Sequence, residues 1–478
     1  MQLLHKKRIK NLPAICKISK NPADLCMLTN KKQSPQIGLF NGLAGQLDQK
    51  HPLYLLANKV NWFFFEEAFK KHYNEKMGAP AKPIRLMVSL LIIKYLRNLS
   101  DENLIEQWAE NIYYQYVGGE QHFQPSAPCV PTELVAFRQR IGEPGVELIL
   151  QESIRITNPP GDNNDSDIVS IDTTVQEKNI TYPTDDKLYK KIILKCWIIA
   201  DKESIDLRQT YTQTVKKLKN VQRFKRTKHG AKAAKKANKS IQIIAGRLVR
   251  ELSRKLPLAR LGAHLAALKL YQRVLSQKRG DSDKIYSLHS LSRFYGKPDV
   301  KCYSKGKEHK KFEFGSKVSI IISQSTGIIM GAINFTQTLH DSKTIPEVLE
   351  QFERLNGKQA KDAFVDRGYR GIKEYKGTTI HVPVPDKNIT KAKRKKHSRR
   401  AAIEPVIGHL KQDYRLCRNY LKGIIGDNMN VILSAAGMNF KRAMILWRTE
   451  AIRCWLLICK YILAAYWNFI APKLKTTF

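Results

Sequence analysis

Apolar residues recur at helical spacing through the first third of the chain. Val88, Leu91, Ile92 and Tyr95 stand at i, i+3, i+4 and i+7, which predicts one buried helical face. Ser100 and Asp101 then open a second helix carrying Leu104, Ile105 and Trp108, a hydroxyl and a carboxylate being start signals ahead of an apolar run. The aromatic knot Trp62-Phe63-Phe64-Phe65 reads as a core nucleus. These patterns predict an all-α domain over residues 36–157, behind a weakly patterned basic arm over 1–35. The stretch from Asn158 to Asp167 is almost unbroken Pro, Gly, Asn and Asp, a boundary loop.

Beyond that loop the pattern becomes α/β. Asp167 to Thr174 reads as a short buried strand with Asp172 near its end. Lys317–Ile322 and Gly327–Phe335 are two β-rich runs joined by a hairpin signal at Ser323 to Gly327. Ile345, Val348, Leu349 and Phe352 share a helical face. Ala363 to Asp366 is another apolar strand ending in a carboxylate, Thr378 to Val382 a last strand, and helix resumes near Glu404. A long insertion, roughly 185–310, separates the first strand from the hairpin. The expected main domain is 165–445, with an apolar helix and tail over 446–478.

Charge sharpens the picture. Lys plus Arg number 83 against 42 Asp plus Glu, a net charge of +41 in 478 residues, which favours a polyanionic partner, nucleic acid before membrane. Arg208 to Arg250 holds 14 Lys or Arg and no acid, and Ile241, Ile244 and Leu248 at helical spacing make that run an amphipathic helix with a basic face. A second basic block, Lys387 to Arg400, immediately precedes Glu404. The eight cysteines form no CxxC pair and read as reduced thiols; the basic N-terminus carries no signal peptide. Trp455 to Ala471 is short for a membrane span and contains Lys460. A cytoplasmic, nucleoid-associated protein with no stable membrane association is expected.

Phosphodiester chemistry calls for hard divalent cations held by carboxylates from separate elements. Asp172 and Asp366 end apolar strands, where an unpaired carboxylate is costly, and Glu404 follows the basic block. The plainer alternatives are that Asp172 caps the turn into Thr173, that Asp366 pairs with Arg367 or Arg370, and that Glu404 is an ordinary helix carboxylate. No GxxxxGK[ST] loop, HExxH or paired CxxC supports an ATP-driven or zinc mechanism.

Three long motifs, Ile171-Asp172 through Asp185, Phe364-Val-Asp366-Arg-Gly-Tyr-Arg-Gly371, and Arg400-Ala-Ala-Ile-Glu404 through Lys411, resemble those of bacterial insertion-sequence transposases of the DDE class, in the branch with a helical N-terminal domain. Tyr303 to Gly315 and Asn419 to Gly423 resemble that group too. The resemblance implies a ribonuclease H-like mixed sheet interrupted by the basic helical insertion, preceded by a helical domain for DNA binding or dimerisation. It implies that Asp172, Asp366 and Glu404 are catalytic and hold two Mg²⁺ or Mn²⁺ ions. Arg400, Glu404 and Lys411 match the family's Y-x2-R-x3-E-x6-K signature, with His397 in the tyrosine position; Arg400, Lys411 and His397 are its implied DNA or phosphate contacts. Pro405 suits only a first turn, which sets Glu404 at a helix start with Arg400 in the preceding loop. Implied partners are double-stranded DNA, as terminal inverted repeats and target, and a second copy in a homodimeric DNA complex. The activity implied is cleavage at the element ends and joining of the 3′-OH to target DNA. A nuclease without strand transfer, or an inactive nucleic-acid-binding protein, are the alternatives.

Overall fold

The structure, a computed structural model, describes residues 26–27, 42–74, 77–158, 167–278, 280–281, 284–288, 300–304, 312–383 and 390–474, with side chains from 42 to 449. Apart from 26–27, the expected basic arm lies outside the described residues, as do most of the boundary loop and the start of the second basic block. Contacts divide the chain into two compact units, one of residues 1–94, 99–152 and 440–478, the other of 95–98 and 153–439.

The first unit is helical. Its main helices are α1 (Pro52–Lys59), α2 (Trp62–Lys70), α3 (Ile84–Leu96), α4 (Asp101–Glu110), α5 (Ile112–Val117) and α6 (Pro131–Thr157). The aromatic knot is split by helical geometry: Trp62 and Phe65 turn into the core, while Phe63 is 69% exposed. Ser100 caps α4, accepting a hydrogen bond from the Asn103 amide. Behind the cap, Asp101 receives Lys94 at 2.6 Å and both terminal nitrogens of Arg138 at 2.9 and 2.7 Å. α6 breaks at Gly142, whose φ of 64° favours glycine, and Pro144 follows the break.

The second unit is an eight-stranded mixed sheet with helices around it. Its strands are β1 (Ile168–Lys178), β2 (Lys301–Ser304), β3 (Phe312–Ser323), β4 (Ile329–Phe335), β5 (Asp362–Phe364), β6 (Glu374–Tyr375), β7 (Thr378–His381) and β8 (Arg418–Asn419). β1 is central, antiparallel to β3 and parallel to β5; β4 continues antiparallel beyond β3, and β7 continues parallel beyond β5. That order, third, second, first, fourth and fifth principal strand, is ribonuclease H-like. Val169, Ile171, Val318, Ile320 and Ala363 are fully buried at its centre. β3 crosses β1 so closely at Gly315 that a Cβ there would fall 1.8 Å from the Gln176 carbonyl oxygen.

β1 is longer than its apolar run suggests. Val175 to Lys178 stay in the strand because β3 pairs with them up to Glu177 and β8 pairs with Glu177 and Lys178. Asp172 therefore sits in mid-strand, not near an end.

Between β1 and β2 lie α7 (Asp185–Lys202), α8 (Thr212–Arg223), α9 (Gly230–Lys255) and α10 (Leu258–Ser276). They share a core that includes Ile192, Cys196, Ile241, Leu248 and Val274. All 14 basic residues between 208 and 250 are exposed, the apolar stripe of α9 having turned inward. Both ends of the insertion lean on one ring: Tyr182 packs edge-on to Phe314 of β3 at 5.3 Å, and Tyr286 meets it at 5.2 Å. The chain ends in α11 (Ile345–Asn356), α12 (Lys391–Arg399), α13 (Ile403–Asp413) and α14 (Gly423–Leu474), so the apolar segment 455–471 is the last part of one long helix. Among the described residues no helix is long and apolar enough to cross a membrane.

Candidate active site

On one side of Asp172, β3 pairs in register, Asp172 opposite Ile320. On the other side β5 reaches only Ser170, and β8 begins only at Glu177. Two residues beyond the end of β5, Asp366 caps a short 3₁₀ turn, Arg367–Tyr369, by accepting the Gly368 amide at 2.7 Å. Asp366 makes no ion pair with Arg367 or Arg370 among the described residues. The Asp172 Oδ1 accepts the Thr173 amide at 2.7 Å, so each aspartate has a local hydrogen bond as well.

The third carboxylate arrives with α13. A 3₁₀ turn, Arg400–Ala402, joins α12 directly to α13, so Arg400 lies in a helical turn and not in a loop, and Pro405 falls in the first turn, where its missing amide costs nothing. Arg400 reaches two ways, Nη1 to Asp172 at 3.7 Å and Nη2 to Glu404 at 3.5 Å. Glu404 is 65% exposed, against 18% for Asp172.

Asp341, unmarked by any strand pattern, is a fourth carboxylate in the same place. It opens a 3₁₀ turn before α11, and its Oδ1 accepts Lys317 Nζ at 2.7 Å and Thr173 Oγ1 at 2.8 Å. Gly368 lies between this group and Asp366: a Cβ on it would stand 3.0 Å from Asp366 Oδ1 and 3.4 Å from Asp341 Oδ2. Beneath them the buried Tyr369 phenol neighbours Thr173. Burial and the surrounding aspartates, Asp172 foremost, hold its pKa well above the usual value, so it stays a neutral phenol. The sequence signal for Asp341 was its place after a strand, beside Ser342-Lys343 in a turn, which is common in proteins of every kind.

Burial pushes the Asp172 carboxyl up to about 6; Asp366 and Asp341 add to the rise, and the Thr173 amide and Arg400 oppose it. This is a site short of positive charge inside a strongly basic protein. A hard divalent cation would relieve that imbalance, and oxygen-only donors suit one. Because Gly368 carries no Cβ, the Asp366 and Asp341 carboxylates can both approach its backbone closely. Among the described residues, however, no three acidic, histidine or cysteine side chains are gathered closely enough to hold a metal ion, and Glu404 is engaged by Arg400.

Lys411 lies two turns along α13 from Glu404 and approaches Glu313, at the far end of β3, at 3.8 Å. His397 meets Phe364 edge-on at 5.0 Å. Burial first, then the nearby His381, Lys393 and Arg400, lowers its pKa, so at neutral pH the ring carries no charge. The rest of α12 is a basic face with no buried residue, tied to the sheet by Gln324, whose amide donates to Ser170 Oγ at 3.0 Å and to the Lys396 carbonyl at 3.2 Å.

Two family models match the chain: a "Transposase domain (DUF772)" over residues 42–140 and a "Transposase DDE domain" over 289–440. The second match contains Asp341, Asp366 and Glu404 and stops short of Asp172. A relative from Rhizobium meliloti, "Uncharacterized protein ORF8 in nfe locus", is 38% identical over 173 residues, 36% of this chain and 83% of the relative. No solved structure matches.

Proposed function

Because the chain belongs to the insertion-sequence transposases of the DDE class, we propose that it cuts DNA at the terminal inverted repeats of its own element and joins the freed 3′-OH ends to target DNA at Asp172, Asp366 and Glu404. The observation that carries this reading is Arg400, which reaches Asp172 and Glu404 at once, while the charge of Asp366 acts on Asp172.

Magnesium or manganese ions, when bound, would supply charge neutralisation at the scissile phosphate and activation of the attacking oxygen. Asp172 and Asp366 would hold them from the sheet, with Glu404 closing from the helix once Arg400 turns to the DNA. The chain's own contribution is placement. The sheet fixes the two aspartates, Arg400 grips a phosphate beside them, and Lys411 extends that grip along α13. His397, being neutral, would act there as a hydrogen-bond donor and not as a cation. Water attacks phosphorus in line and the 3′-oxygen leaves with a proton; the 3′-OH then attacks a target phosphodiester in the same way, and no bond to protein forms. Two element ends call for two such sites, and hence for a homodimer in the DNA complex.

Cleavage and strand transfer by Asp172→Asn test the reading. The variant should bind element ends normally yet neither cut them nor join pre-cut ends, and EDTA should reproduce the defect in the parent. Undiminished cutting by a folded variant rejects the assignment. Cutting without joining by the parent protein identifies a nuclease instead.

A further inference from the structure

The helical insertion contains a cleft that none of the catalytic residues line. Its volume is about 930 Å³, and its walls are one face of α9 and the strap Asp206–Tyr211 that joins α7 to α8. Arg247, Arg250 and Arg254 come from α9, at i, i+3 and i+7, and Arg208 comes from the strap.

The strap is fixed in place. Its Arg208 amide donates to Glu251 at 2.6 Å, its Asp206 carbonyl accepts Lys255 Nζ at 2.5 Å, and its Thr210 carbonyl accepts the Trp197 indole at 2.9 Å. Tyr211 ends it with a left-handed φ of 57°, and the phenol oxygen lies 3.5 Å from Arg247 Nη1. Holding a tyrosine in that conformation costs about 1 kcal/mol or more, so packing on the insertion core must hold it there.

The cleft's charge is not balanced from within. Glu251 is engaged by the strap amide and by Lys255 at 2.9 Å. None of the four guanidiniums forms a salt bridge among the described residues, and Arg254 alone feels the charge of Glu251. Three of them span about 10 Å along the helix axis at 1.5 Å per residue. That is about three phosphate-to-phosphate steps of a stacked strand, at about 3.4 Å each along the axis. An aromatic ring beside a row of arginines is the combination that holds unpaired strands.

We propose that this cleft binds a short unpaired segment of DNA, with phosphates on Arg247, Arg250 and Arg254 and a base against Tyr211. The inference rests on the reading that the chain acts on DNA, but not on the catalytic carboxylates. A strand opened next to the cutting site is the occupant such chemistry supplies.

The test is fluorescence anisotropy with a ten-nucleotide single strand, a duplex of equal length and an RNA strand. It is run on the full chain in the Asp172→Asn background, so that no cutting intervenes. Arg250→Ala with Arg254→Ala should weaken single-strand binding about tenfold and lower the salt slope by about 1.4, two contacts at about 0.7 each. Duplex binding should change less than about twofold over the same salt range. Lys232→Ala with Lys236→Ala, on the exposed N-terminal half of α9, removes equal charge and should leave single-strand affinity within about threefold. Tyr211→Leu should cost about tenfold on the single strand, the scale of one lost base stack. Equal losses from the arginine and lysine pairs, unchanged single-strand binding, or preference for RNA would each overturn the proposal. Because the readout is binding, failed catalysis at Asp172 leaves this result standing, and a failed cleft leaves cutting of element ends intact.

Discussion

The Arg400 guanidinium stands 3.7 Å from the Asp172 carboxylate, joining the start of a C-terminal helix to the middle of the first core strand. The same side chain reaches Glu404, so one cation is shared by two carboxylates that the reaction would need for other purposes. Arg400 is thus a placeholder as well as a candidate phosphate contact.

Removing the Asp172 charge should separate stability from activity. Cleavage by Asp172→Asn should fall by more than the roughly 10–100-fold that outer-shell partners of a metal site cost. In EDTA the same variant should unfold later than the parent at pH 8. A carboxyl pushed up to about 6 by burial and two neighbouring aspartates is held charged there against its environment. The gain should be about 1–3 kcal/mol, one pKa unit being about 1.4 kcal/mol. Thermal unfolding of both proteins in EDTA measures it.

Asp341 carries the second prediction. Asp341→Ala leaves Lys317 and the Thr173 hydroxyl without their shared acceptor and should destabilise the second unit by about 1–3 kcal/mol. Asp341→Asn keeps an acceptor oxygen and should lose less stability. If Asp341 helps hold a cation, Asn and Ala should impair cleavage equally; a purely structural role would let Asn recover most of it.

Arg400→Ala should reduce the dependence of element-end binding on salt, lowering the logarithmic slope by about 0.9 for one lost duplex phosphate contact. Arg400→Lys should restore the slope but not full activity, because an ammonium cannot grip a phosphate with two nitrogens as a guanidinium does. Binding titrations across a salt series read the effect. An unchanged slope in Arg400→Ala removes the residue from the DNA contact.

Acid should loosen the first unit through Asp101. Burial tends to raise its pKa, but the hydrogen bond from Arg138 and the charge of Lys94 outweigh that and hold it below the usual carboxylate value. A folded pKa below the unfolded one means the contribution is fully present above the unfolded value of about 3.9 and is lost as pH falls through the folded value. Asp101→Asn should remove that acid-dependent part and cost about 1.5–3 kcal/mol at pH 7, since two buried cations lose a charged hydrogen-bond acceptor. Unfolding curves of parent and variant between pH 2 and 7 should converge at the acid end.

Local chemistry was legible in the chain itself. Ser100 ahead of an apolar run marked a cap, the stripe Ile241, Ile244 and Leu248 marked the inner face of α9, and apolar runs bounded by turn signals marked the principal strands, while their order was implied only by the family resemblance. Periodicity and capping act over a few residues, so sequence records them directly. Position 172 was readable as a carboxylate on a buried strand, but its place in mid-strand depended on β3 and β8 arriving from elsewhere to pair with polar residues. Phe63 was counted with its aromatic neighbours until helix geometry turned it outward. Asp341, the two-way reach of Arg400 and the arginine-lined cleft belong to the tertiary structure alone. Each arises where segments distant in sequence meet, and no spacing rule carries a distance between them.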